Sequence, residues 1–157
     1  MHWWNSMSGN PLEAPELINL LSSQLVAVLS TSEKGEPYSC LVSFEATDDL
    51  HYIVFATMRQ RLKYRNMLAN PRVSLMVDNR ENKASDLHQA TSVSILGTAC
   101  DTEGKERERF AKLLLARHPE LEDFVSHPDC AVIAVEVDRY YVVTDFESVN
   151  VIEVKGE

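Results

Sequence analysis

The chain has 157 residues, enough for one domain with one core and too few for a second. Its composition, 45% hydrophobic and 25% charged, is globular rather than disordered. The net charge of −9 argues against nucleic acid as a partner, and apolar runs such as Leu25–Leu29 fall far short of the roughly 20 residues of a membrane-spanning helix. Three cysteines, Cys40, Cys100 and Cys130, are too few and odd in number for a disulfide framework. With no basic-then-apolar start at residues 1–5, they predict a cytoplasmic setting.

Residues 1–10, with Trp3 and Trp4, read as an irregular N-terminal tail, and 11–157 as the domain. Pro11–Gln24 reads as a helix with Leu17, Ile18 and Leu21 on one face. Leu25–Thr31, Pro37–Ala46 and Leu50–Ala56 read as three strands of a meander, separated by turns at 32–36 and 47–49. Thr57–Asn70 takes helical periodicity and stops before Pro71. Val73–Asp78 is a fourth strand, 79–90 an exposed loop, and Thr91–Asp101 a fifth strand in which Gly97 marks a bulge or a close backbone approach. Gly104–Arg117 is an amphipathic helix with Phe110, Leu113 and Leu114 inward, ended at His118-Pro119, and a shorter helix carries Leu121, Phe124 and Val125. Cys130–Val137, then Tyr140–Thr144 or Ser148–Val154, complete the set, with one of Tyr140 and Tyr141 in the core and the other toward a groove. Six or seven strands with few helices predict a mainly β (α+β) fold, a closed or half-closed antiparallel barrel.

Most motifs that would announce a chemistry are missing. There is no GxGxxG, GxxxxGK, HExxH or CxxC, the five histidines are not at metal-ligand spacing, and no nucleophile elbow occurs, so no metal is expected. The signal that is present lies in the charge distribution. Residues 50–77 contain no Asp or Glu, yet hold Arg59, Arg61, Lys63, Arg65 and Arg72, five of the 15 basic residues. Such a cationic window in an acidic chain suits a small anionic ligand. Thr57 stands at a strand end, and Arg59 and Lys63, four apart, are expected on one face at the opening of a helix, where free N–H groups and the dipole favour phosphate. The plain alternatives are a surface ion pair for Arg59, a solvated helix lysine for Lys63 and a helix N-cap for Thr57.

The strand-end Thr57 with Arg59 and Lys63, the distance on to Asn70-Pro71, and the glycine-bearing strand Val93–Ala99 together resemble the flavin-binding split-barrel family related to pyridoxamine 5′-phosphate oxidase. The order of elements agrees from about residue 16 to 154. The resemblance implies an antiparallel split β-barrel of six to seven strands with peripheral helices. It also implies an FMN-binding homodimer with flavin between the barrels, acting as an oxidoreductase on a small substrate or electron donor. Thr57, Arg59 and Lys63 would hold the FMN phosphate. Arg61 and Leu62 stand where the oxidase pattern has Ser and Arg, with Arg59 restoring the lost cation. Ser39, Cys40 and Leu41 occupy places that face the isoalloxazine ring. No Arg-x-His tail of the oxidase kind follows, which argues against pyridoxamine phosphate as the substrate. A non-catalytic flavin carrier, a deazaflavin F420 binder, and a haem-binding or haem-degrading member of the fold are the alternatives. The last is suggested by Arg117-His118-Pro119-Glu120.

Overall fold

The computed structural model describes residues 4–7 and 9–154. Trp4–Met7 forms a strand, β1, where an irregular tail was expected; Trp3 lies outside the described residues. The helix expected over 11–24 is a 3₁₀ turn at Pro11–Glu13 followed by α1 (Pro15–Ser23). Ala14 precedes Pro15 and stays extended, which separates the two pieces. β2 (Val26–Glu33) and β3 (Glu36–Ser43) form a hairpin through Lys34 and Gly35, both at positive φ, the two-residue turn whose twist matches the strands. There follow β4 (Glu45–Ala46), β5 (Tyr52–Met58), α2 (Leu62–Ala69) and β6 (Arg72–Asp78). The loop expected over 79–90 contains a helical turn, α3 (Asp86–Gln89), whose Asp86 carboxylate accepts from the Glu81 and Lys83 amides. β7 (Thr91–Asp101), α4 (Gly104–Arg117), a 3₁₀ turn at Pro119–Leu121, α5 (Glu122–Ser126), β8 (Cys130–Thr144) and β9 (Ser148–Glu153) complete the described chain.

The strands run β1-β9-β8-β7-β6-β2-β3 in one sheet, with β5 joined to β8 and β4 joined to β5. All pairings are antiparallel except that of β1 with β9, where β1 covers what would be an open edge. The architecture is the expected split barrel, with nine strands among the described residues rather than six or seven. Three physical reasons account for the difference. The predicted strand Pro37–Ala46 breaks at Phe44, whose ring is fully buried and whose amide donates to the Leu25 carbonyl. β8 is continuous through Val137–Tyr140, and β9 forms as well. β1 adds the last.

β8 has β7 along one edge from residue 133 to residue 144. Its other edge is shared: residues 130–136 pair with β5, and residues 139–144 pair with β9. The hinge between the two halves is a bulge, in which Leu96 opposes Arg139 and Gly97 opposes Val137, leaving Asp138 unopposed. The Asp138 carboxylate takes an ion pair from Arg72 at the start of β6.

Side chains alternate along β5 and β8. Ile53, Phe55, Ala131, Ile133 and Val135 point into the barrel, which α1 plugs with Leu17, Leu20 and Leu21. Val54, Val132 and Ala134 point outward and are covered by Phe110 and Leu114 of α4 and Val125 of α5. Both faces are therefore dry, which explains why these strands read as unbroken apolar runs. Tyr140 is the core tyrosine, its hydroxyl donating to the Leu50 carbonyl at 2.7 Å, while Tyr141 is half-buried and accepts from Arg139. Arg117 ties α4 to the plug: its guanidinium donates to the carbonyls of Leu21, Ser22 and Gln24 at the end of α1 and to Glu45. His118, expected as a helix terminus, caps α4 and is buried against the Phe44 carbonyl at 2.8 Å.

Gly97 has no room for a side chain, because a Cβ there would lie 2.3 Å from the Glu136 carbonyl oxygen. Gly97→Ala is expected to destabilise the fold by about 1–3 kcal/mol through forced backbone displacement. Urea denaturation reads this, and an unchanged midpoint would show that the close approach is not maintained.

Candidate functional site

The site is built where β5 leaves the sheet. Thr57 and Met58 remain paired with Ala131 and Cys130 of β8, so the helix expected to begin at Thr57 begins instead at Leu62. The turn between is held by main-chain bonds: the Arg59 amide donates to the Asp129 carbonyl at 2.9 Å, and the Arg61 amide to Met58 at 3.1 Å. Arg61 is the N-cap of α2, extended and without a side-chain cap. The Tyr64 amide donates to the Arg61 carbonyl at 3.1 Å, while the Leu62 and Lys63 amides have neither an intrahelical partner nor a capping side chain, and the positive end of the helix is open to an anion. Behind it, α2 is fastened to β2 by two amide side chains. Asn66 donates to the Thr31 hydroxyl at 3.0 Å, both buried, and Asn70 to Ser32 at 3.1 Å.

A cavity of about 480 Å³ opens beside this helix start, at the split where β3 and β5 approach without a ladder between them. Thr57 and Met58 line it from β5, Arg61 and Lys63 from the turn and α2, Tyr38 and Cys40 from β3, and Phe124 from α5. Two cations face it, and no carboxylate does among the described lining residues. Gln60 and Thr57 add neutral polar groups beside the cations, and Tyr38, Cys40, Ala56, Met58, Leu62 and Phe124 make the aromatic, aliphatic and sulfur-bearing part of the wall. Such a lining suits a ligand with an anionic end and an apolar, flat body. A comparable cleft of about 540 Å³ lies between α4 and the turn after β4, but there Asp48 and Asp49 stand alongside Arg109 and Lys112, so it has no preference for an anion.

Of the residues expected from the sequence, Thr57, Arg61, Lys63 and Cys40 come together on this cavity. Thr57 is 2% exposed, and its hydroxyl donates to the Met58 carbonyl at 3.2 Å. Ser39 and Leu41 lie on the opposite side of the pleat: the Ser39 hydroxyl meets that of Ser30 at 3.2 Å, and Leu41 is exposed on the outer surface. Arg59 is not on α2, so the shared helix face expected for Arg59 and Lys63 does not form. Its guanidinium turns to Asp101 at the end of β7, with contacts of 3.3–3.4 Å, and donates to the Cys130 carbonyl at 3.2 Å. Tyr64 donates to the same carboxylate at 2.8 Å, and its phenol is pushed up by burial and by that carboxylate. Tyr38 and Phe124 were not anticipated as lining. The two-residue period from Cys40 would have found Tyr38; nothing in the sequence points Phe124 toward the cavity.

A nine-stranded split barrel with a cationic cavity at the strand-to-helix turn defines the class of protein. The sequence matches the family described as pyridoxamine 5′-phosphate oxidase over residues 14–144, and the chain belongs to that family. No curated protein matches it. Among solved structures, a haem-binding protein from Mycobacterium smegmatis is similar at 19% identity and a TM-score of 0.76, over 85% of this chain and 55% of that one. The haem storage protein HutZ from Vibrio cholerae is similar at 17% identity and a TM-score of 0.72, over 83% and 93%. An FAD-binding protein from Mesorhizobium loti is similar at 20% identity and a TM-score of 0.63, over 82% and 92%. The chain therefore spans little more than half of the mycobacterial protein, and at these identities the likeness is one of fold. No helix among the described residues is long and apolar enough to cross a membrane.

The three free cysteines differ in environment: Cys40 borders the cavity, Cys100 is exposed, and Cys130 is buried. Burial pushes the Cys130 thiol up. Iodoacetamide at pH 8 is expected to modify Cys40 and leave Cys130 intact in the folded protein. Peptide mass spectrometry reads the outcome, and equal modification of the two would show that α5 does not stay packed over the start of β8.

Proposed function

We propose that this protein binds FMN, with the phosphate in the cavity on Arg61, Lys63, Thr57 and the first amides of α2. The observation that carries the reading is the pairing of two cations with an uncapped helix start on a cavity that no carboxylate enters among the described lining residues. Arg61 supplies a planar fork for two phosphate oxygens and Lys63 a compact charge. The aromatic and sulfur-bearing wall of Tyr38, Cys40 and Phe124 offers an apolar surface to a ring system. Bound flavin would supply hydride or electron transfer, and the chain's part is to bind, orient and exclude water from it. On this reading the protein is a cytoplasmic FMN-dependent oxidoreductase of a small substrate; a flavin carrier is the non-catalytic form of the same assignment.

A homodimer completes the proposal. β3 is an edge strand whose two faces are both open near the cavity: Tyr38 on the inner face and Leu41, 69% exposed, on the outer. Leu41 stands in register with Val28 of β2 and Met76 of β6, itself 45% exposed, which makes an uncharged row across three strands. A second copy laid over this row would cover the apolar surface. Haem is the second reading, supported by what two of the similar proteins bind. Against it stands a lining without histidine among the described residues.

Arg61→Ala and Lys63→Ala are each expected to weaken FMN binding by about 1–3 kcal/mol, the range for charged hydrogen bonds. Fluorescence titration measures this, and unchanged dissociation constants in both variants would refute the site. Haem addition is expected to give no Soret band that decays with reductant; its appearance would favour the second reading. Rapid reduction of bound flavin by NADH or NADPH, followed by turnover with an acceptor, separates enzyme from carrier. Leu41→Glu is expected to convert a dimer to monomers in analytical ultracentrifugation. Wild-type protein that sediments as a monomer would remove the dimer from the proposal.

A further inference from the structure

We propose that Asp101 is a positioning residue for the cavity, holding Arg59 and Tyr64 so that the four residues between them present Arg61 and Lys63 to a bound anion. The inference rests on the phosphate reading of that cavity. Arg59 and Tyr64 bracket the segment 60–63, which carries the whole turn and the first residues of α2. Both converge on one carboxylate: Arg59 reaches it through Nε and Nη2, and Tyr64 through its hydroxyl at 2.8 Å. The guanidinium also lies 5.8 Å from the Tyr64 ring centre, so the three side chains form a closed set.

The backbone that carries the carboxylate is tied to β8. Asp101 is the last residue of β7, in register with Ile133 of β8, and the next residue, Thr102, is buried and bonded to the Val132 carbonyl through both its amide and its hydroxyl. Arg59 has a second fixed point in the Cys130 carbonyl, which Arg107 of α4 also contacts at 3.0 Å. Apart from this brace, the turn is tied to its surroundings through the Arg59 amide, which donates to the Asp129 carbonyl, and the Arg61 amide, which donates to the Met58 carbonyl. A ligand site holds its geometry through the groups that fix its side chains, and here those groups sit on a strand some forty residues further along the chain.

Charge and geometry predict opposite signs, and this makes the inference testable. Asp101 is an anion beside an anion site. If it acted only through its field, Asp101→Asn would tighten FMN binding. The same would follow if the released Arg59 swung into the cavity as a third cation. If Asp101 acts by positioning, the neutral isostere weakens binding in spite of the lost repulsion, and the loss falls on the phosphate. Asp101→Asn is therefore expected to weaken FMN binding about tenfold, the low end of what losing an orienting partner costs at a ligand site. Riboflavin, which lacks the phosphate, should bind the variant within about twofold of wild type. Tyr64→Phe, which removes one hydroxyl and keeps the packing, should weaken FMN binding in the same direction by about threefold. The double variant should be no weaker than Asp101→Asn alone, because both changes break one unit.

Both ligands are titrated by fluorescence against wild type and the three variants. Tighter or unchanged FMN binding in Asp101→Asn overturns the proposal, as does an equal loss for FMN and riboflavin. If Asp101→Asn does not fold, Tyr64→Phe decides by the same FMN-to-riboflavin comparison. Wild-type protein that binds FMN no better than riboflavin overturns the phosphate reading and this inference with it. A wild-type preference for FMN that is undiminished in every variant overturns the inference alone.

Discussion

A strand of fifteen residues can hold two different neighbours along one edge only if it bends between them, and in β8 the bend is at Asp138. The extra residue there lets the first half of the strand close the barrel with β5 while the second half leads away to β9. Gly97 opposite makes the bend possible, because the Glu136 carbonyl occupies the space a side chain would need. Arg72 locks the bulge from β6 by pairing with Asp138. The position of β5 follows from this arrangement, and so does the place where β5 ends and the α2 turn begins.

That ending is where an acidic protein gathers positive charge. Acidic residues elsewhere are numerous, but the stretch from Leu50 to Val77 has none, so the cations of the turn meet no carboxylate from their own segment. The fold then sorts them. Asp101 comes from β7 to take Arg59, while Arg61 and Lys63 are left facing the cavity. One acid is used inside the scaffold, and the other two cations remain on the cavity wall. The opening between β3 and β5 gives them a cavity to face, and α5 contributes Phe124 as a wall.

The fold was legible in the sequence to the extent that it rests on periodicity and punctuation. Strands with both faces buried, such as β5 and the first half of β8, announce themselves as apolar runs, and Asn70-Pro71 and His118-Pro119 mark helix ends. The pleat of β3 was also available: Tyr38 and Cys40 share one face while Ser39 and Leu41 share the other, so the run 39–41 could never have faced one ligand as a block. The start of α2 was harder to see. Thr57 and Met58 look the same at the end of a strand as at the mouth of a helix until β8 is there to pair with them. That displacement of the helix start from Thr57 to Leu62 removed Arg59 from the face it was expected to share with Lys63.

By itself, the sequence determined the fold class, the family, and the location of the cationic segment, because these depend on local pattern and on residue type counted along the chain. Only the tertiary structure decided which cation meets which partner. Arg59 and Asp101 are far apart in sequence and are brought together by the registers of β5 and β7 on β8. Long-range pairing of that kind is set by how strands stack side by side, and a linear string of residues carries no record of it.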